Sequence, residues 1–156
     1  MPVAKSQVLP VLAAAKQAVE YFRDAQLPIV AIGNEFRTRA FLINLFRHFA
    51  TMAGSPGSAW DERLPLGDIP YFPKWGGSAF INPALEPWLR ERGVGEVVLT
   101  GLFARACITA TAKSALKRGF RVATIDAATA CANDQSRAKA LARLHTKGVA
   151  QVVLRG

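Results

Sequence analysis

The chain has few cysteines, no long apolar run and no basic cluster, and each shortage removes a class of function. Of its 156 residues only two, Cys107 and Cys131, are cysteines. They are far apart and in no paired spacing, which excludes a disulfide framework and fits a reducing compartment. No stretch is long enough to span a bilayer, and the first residues lack a basic start followed by a continuous apolar run. The expectation is therefore a cytoplasmic protein with no membrane partner. Lysine and arginine number 20 against 11 acids, a formal charge of +9. A basic field attracts phosphates whatever the fold, but these charges are scattered, with only short pairs such as Lys117-Arg118 and no run interleaved with aromatics. Scattered charge is a solvated surface, so no nucleic-acid partner is expected, and a basic polyanion-binding module is kept only as an alternative. The Gly-Ser-Pro-Gly-Ser cluster inside Gly54–Asp68 lacks the lysine that a phosphate-cradling loop requires, and reads as a plain loop.

What is present is an apolar half, 51% of the residues, enough for the core of a single domain over 1–156. Its period alternates between helix and strand, with no internal repeat. Leu12, Ala15, Val19 and Phe22 recur at helical spacing and predict a helix over Ser6–Ala25. Leu27–Gly33 reads as a buried strand, Thr38–Met52 as a helix with a wide apolar face that His48 borders, and Asp68–Phe72 as a short strand. Pro83–Arg92 and Asp134–Thr146 read as helices; Val97–Thr100, Phe120–Ile125 and Gln151–Leu154 read as strands. Strands alternating with helices make a mostly parallel sheet covered on both faces, a three-layer α-β-α, Rossmann-like arrangement.

The chemistry gathers around Glu96–Phe120. Val97, Val98 and Leu99 run to Gly101 as a buried strand, and from Cys107 a helix continues until Gly119 stops it. Cys107 thus lies at a strand-to-helix junction, where free backbone N–H groups and the helix dipole favour a thiolate and an adjacent oxyanion. Most lone cysteines are small core hydrophobes, and Cys131, with no cationic neighbour in sequence, is read that way. In an open α/β sheet the binding crevice lies beyond the carboxyl ends of the strands. Asn34-Glu35-Phe36, Lys74-Trp75, Leu102–Cys107 and Asp126–Thr129 each follow a strand and converge there, which brings a lysine ammonium to the thiol it would activate.

Lys74 stands in Phe72-Pro73-Lys74-Trp75-Gly76-Gly77-Ser78-Ala79-Phe80, ahead of the strand ending in Thr100-Gly101 and of Cys107 opening a helix. These motifs, in this order, resemble the isochorismatase-like cysteine hydrolases, and the similarity extends in weaker form from about Val8 to Leu154. The resemblance implies Cys107 as nucleophile, Lys74 as its activating partner, and the amides of Phe103 and Cys107 as oxyanion hole, with a cis Leu102–Phe103 bond. Asn34, Glu35, Phe36 and Trp75 would line the pocket. The implied reaction is hydrolysis of a C–N bond in a small amide or carbamoyl compound through a covalent cysteine intermediate, in a protein that assembles as a homo-oligomer.

The chain departs from the family pattern in two places. Where nicotinamidase-like members carry Asp-x-His and further histidines for a metal, it has Asn34-Glu35-Phe36, so no metal or other cofactor is expected and nicotinamide is not the expected substrate. The family opens with a strand ending in the aspartate of its triad, and Met1-Pro2-Val3-Ala4 does not match it. The expectation is a natural polypeptide with that strand upstream of Met1, Glu35 being the one nearby substitute as base; a catalytically inactive member acting in binding or assembly is the alternative. On the metal the prediction is direct: purified protein should carry no stoichiometric zinc, iron or manganese, and chelators should leave hydrolysis unchanged. Stoichiometric metal bound near Glu35 would contradict it.

Overall fold

A computed structural model describes residues 5–34, 67–102 and 104–155. The predicted helix over Thr38–Met52, with His48, and most of the loop over Gly54–Asp68 lie outside the described residues. In chain order the elements are α1 (Lys5–Asp24), β1 (Ala31–Asn34), β2 (Tyr71–Lys74), a 3-10 turn (Ala79–Ile81) and α2 (Leu85–Glu91). There follow β3 (Glu96–Leu102), a π-helical turn (Ala104–Ile108), α3 (Thr109–Lys117), β4 (Arg121–Ala130), α4 (Asp134–Thr146) and β5 (Ala150–Gln151).

Among the described residues all strand pairing is parallel, in two hydrogen-bonded groups, β1–β2 and β3–β4–β5. Among the described residues no backbone pairing joins β1 to β3. Both groups nevertheless rest on one apolar cluster, because Val30, Ile32 and Phe72 pack against the same buried residues as Val97 and Leu99. Side chains alternate across a strand. Val97 and Leu99 accordingly meet α2, α3 and α4 through Leu89, Ala112 and Leu144, whereas Val98 meets α1 through Ala18 and Phe22. Helices cover both faces, which is the three-layer α/β fold. Leu144 is almost fully buried, so Leu144→Ala should cost about 2–5 kcal/mol.

The helices stop where the sequence says they should. Gly119 follows α3 with φ +83, and the amide of Phe120 closes back onto the carbonyl of Ala115; Gly148 follows α4 with φ +91, and the amide of Val149 closes onto Leu144. Only glycine adopts this left-handed conformation without strain. Phe120 and Val149 then enter the core as the first apolar residues before the next strand.

Several expected boundaries are corrected. β1 starts at Ala31 rather than Leu27, because Gln26 turns the chain at φ 56, Leu27 is half exposed, and Pro28 has no N–H for a ladder. β2 starts at Tyr71, where pairing with Ala31 begins, and ends on Lys74, so that lysine belongs to the strand rather than following it. Cys107 does not open an α-helix but sits in the π-helical turn ahead of α3, held by the Thr109 hydroxyl donating to the Ala104 carbonyl at 2.7 Å. Asp126–Thr129 does not follow the fourth strand; it is part of β4, which runs on to Ala130. β5 is shorter than expected, although the Val152 amide still reaches the Thr124 carbonyl. No helix among the described residues is long and apolar enough to cross a membrane.

At the foot of the sheet, His145 of α4 faces two acceptors: Nδ1 lies 2.8 Å from the Val149 carbonyl and Nε2 lies 2.9 Å from Asp126 Oδ2. A neutral imidazole can donate to only one of them, so the protonated form is favoured. The Val149 carbonyl and then the Asp126 carboxylate raise the His145 pKa above its ordinary 6.5, against the opposing effect of burial. A raised pKa contributes stability that is full below the unfolded value and lost as pH rises through the folded one. The melting temperature should therefore fall as pH is raised from about 6.5 upward, and His145→Gln should flatten that slope; an equal slope in the variant would contradict the assignment.

Candidate active site

The two parallel strand groups meet at Lys74 and Cys107. Lys74 is buried at 5% exposure, and its ammonium donates to the Gly76 carbonyl at 2.8 Å, the Gly77 carbonyl at 3.1 Å and Cys107 Sγ at 3.3 Å. An ammonium has three protons and no acceptor capacity. All three are used, and among the described residues no carboxylate pairs with it. The sulfur is thus the acceptor that completes the shell of a buried cation. Cys107 itself is half-buried, open to a small reactant, whereas Cys131 is buried at the end of β4.

The loop carrying Lys74 is pinned along its length. The Asn82 side chain donates to the Pro73 carbonyl at 2.9 Å, and its oxygen accepts from the Ala84 amide. Ser78 caps the 3-10 turn by accepting from the Phe80 amide. The buried hydroxyl of Thr111, on α3, accepts from the Ala79 amide at 3.0 Å, tying this loop to the helix that follows Cys107. Gly77 comes so close to that helix that an added Cβ would lie 3.3 Å from the Ala110 methyl. None of Asn82, Thr111 or Ala110 stood out in the sequence; the available signal was Asn82-Pro83, a turn dipeptide eight residues after Lys74.

Of the other expected site residues, Asn34 pairs in register with Lys74 as the last residue of β1, and Trp75 follows Lys74 half-buried. Glu35, Phe36 and Phe103 lie outside the described residues, and with them the expected Leu102–Phe103 cis bond and half of the expected oxyanion hole. Among the described residues no three of His, Cys, Asp and Glu are grouped to hold a metal ion.

A buried lysine whose ammonium is held on the sulfur of a cysteine, at the carboxyl ends of parallel strands, marks where the site of this α/β protein lies. The Isochorismatase domain model matches residues 2–154, so the chain belongs to the isochorismatase family. The uncharacterized isochorismatase family protein PncA of Bacillus subtilis is 36% identical over 85 residues, 54% of this chain and 46% of its own length. The chain thus spans about half the length of that curated relative in the match. Among solved structures it is similar to N-carbamoylsarcosine amidase from Thermoplasma acidophilum, with TM-score 0.82 and 25% identity, covering 98% of this chain and 89% of that one. It is also similar in fold to an isochorismatase-like hydrolase from Alkaliphilus metalliredigens, with TM-score 0.83 and 24% identity over 91% and 80% of the two chains.

The geometry separates the two cysteines. Iodoacetamide near neutral pH should label Cys107 of the folded protein well before Cys131, and Lys74→Met should slow the Cys107 reaction by about tenfold or more. Equal labelling of both cysteines, followed by mass spectrometry of the two peptides, would contradict this.

Proposed function

We propose that the protein is a cysteine-dependent hydrolase of a C–N bond in a small amide or carbamoyl compound, acting through a covalent intermediate on Cys107. The observation that carries this reading is the buried Lys74 ammonium with Cys107 Sγ as its third acceptor. Family membership and the likeness to a carbamoyl-compound amidase support the substrate class. The Cys107 sulfur adds to the substrate carbonyl carbon, and the oxyanion so formed is received by the amides of Phe103 and Cys107. The C–N bond then breaks, the leaving nitrogen taking a proton from Lys74. Water adds to the resulting thioester and returns a proton to Lys74, and the carbon–sulfur bond breaks to release the acid and the thiolate. Asn34, Glu35, Phe36 and Trp75 line the substrate pocket in this reading. It includes a small-molecule substrate, a cytoplasmic setting and a homo-oligomer.

A second reading is a family member that binds or assembles without turnover. It is favoured by the fact that, among the described residues, no carboxylate reaches Lys74 or Cys107 to act as a dedicated base. Ammonia or amine release from a panel of small amides and carbamoyl compounds decides between the two. Turnover should appear in the wild type and fall about 10³-fold or more in Cys107→Ala. Lys74→Met should lower kcat by about 10²-fold, as expected for loss of a positioned acid–base group. Release that survives Cys107→Ala would overturn the cysteine mechanism, and binding without release would establish the second reading.

A further inference from the structure

β4 pairs with β3 in two registers. Glu96–Leu99 lie opposite Arg121–Thr124 residue for residue, and then Gly101 lies opposite Thr129 and Leu102 opposite Ala130. Thr100 alone therefore faces Ile125, Asp126, Ala127 and Ala128. A bulge of this size breaks the ladder and must be held by other groups.

Asp126 holds it. Its main-chain carbonyl accepts from the Thr129 hydroxyl at 2.8 Å and from Arg137 of α4. Its carboxylate accepts from the Thr124 hydroxyl at 2.6 Å through Oδ1 and faces His145 of α4 through Oδ2. Thr124 and Thr129, the residues flanking the bulge, are both fully buried, so without Asp126 their hydroxyls would lose partners that water does not readily replace. On the opposite face Ile125 and Ala128 enter the α1 cluster with Ala18. One residue thus ties both ends of the bulge together and ties the bulge to α4.

What the bulge determines is the second register. Gly101 and Leu102 are the last residues of β3, and one residue later the turn carrying Cys107 begins. We propose that Asp126 is a positioning residue for the active site: by closing the β4 bulge it sets where Gly101 and Leu102 lie, and hence where the backbone entering the Cys107 turn stands relative to the reacting carbonyl. The catalytic part of this proposal rests on the hydrolase reading above; the structural part does not.

Asp126→Ala removes the carboxylate bonds, and Thr129→Val, which keeps shape, removes one bond to the carbonyl and serves where the first variant folds poorly. Hydrogen exchange read by peptide should speed up about tenfold or more over residues 99–102 while residues 121–124 keep their protection. In the same variants kcat should fall about tenfold with KM within about twofold, the pattern of an interaction lost in the transition state only. Cys107 alkylation should stay within about twofold of wild type, since the Thr111–Ala79 bond and the packing of Gly77 on Ala110, which hold the Lys74 loop against α3, are unchanged in both variants. Unchanged exchange at 99–102, or exchange raised equally along all of β3 and β4, would overturn the clamp. Locally faster exchange with unchanged kcat would overturn its catalytic role. A wild type without hydrolase activity would defeat the hydrolase reading and the catalytic role with it, leaving the exchange result to decide the clamp alone.

Discussion

The arrangement depends on burying one lysine. Taking an ammonium out of water costs several kcal/mol unless every proton finds an acceptor. At Lys74 two acceptors are main-chain carbonyls from the glycine pair that follows it, and the third is the sulfur of a residue far along the chain. The local part of this shell comes from Gly76 and Gly77, which can fold back on the lysine. Gly76 has Ile81 so near that an added Cβ would lie 2.8 Å from its Cδ1. The distant part requires that the Cys107 turn be delivered to a fixed place, and most of the surrounding structure serves that delivery.

Two strands in different hydrogen-bonded groups supply the partners. β2 brings Lys74 and β3 leads to Cys107, and no described backbone ladder connects them. Their relation is set instead by the Thr111–Ala79 bond, by Gly77 against Ala110, and by the apolar cluster of Phe80, Ile108 and Ala112 that both groups share. The Gly33 position extends the same logic into β1, where the Tyr71 ring occupies the space a side chain would need. Close packing of this kind specifies position to fractions of an ångström, which is what holds the Lys74 ammonium on the Cys107 sulfur.

Much of this frame was legible in the sequence, and the parts that were not share a cause. The α4 boundaries, Asp134–Thr146, coincide with the reading from periodicity, because Asn133 caps the helix by accepting from Ser136 and Gly148 ends it. The glycine stop at Gly119 was equally plain. Lys74 and Cys107 were singled out by motif, but the distance between them was not, since it depends on bonds from Asn82 and Thr111 that no local pattern announces. Asp126–Thr129 was expected to follow the fourth strand, yet it belongs to that strand, and Thr124, Arg137 and His145 bind Asp126 there. The π-helical turn adds a residue to a turn of helix, a change that apolar spacing does not register, and the Thr109 side-chain hydroxyl bonds across it to the Ala104 carbonyl.

The same division explains why the site sits where it does. A parallel sheet gives each strand a fixed neighbour, and residues on paired strands are tied by a ladder that is costly to break. Asn34 and Lys74 have that security, being in register on β1 and β2. Cys107 does not, because it lies beyond the end of β3 and reaches Lys74 only through side chains and tertiary packing. The contact between them is consequently the adjustable one. Any opening between the two strand groups would part the sulfur from the ammonium and leave a buried cation short of an acceptor. That cost is paid only when the two groups separate, so the ion that serves the sulfur also resists the separation of the strands that carry it.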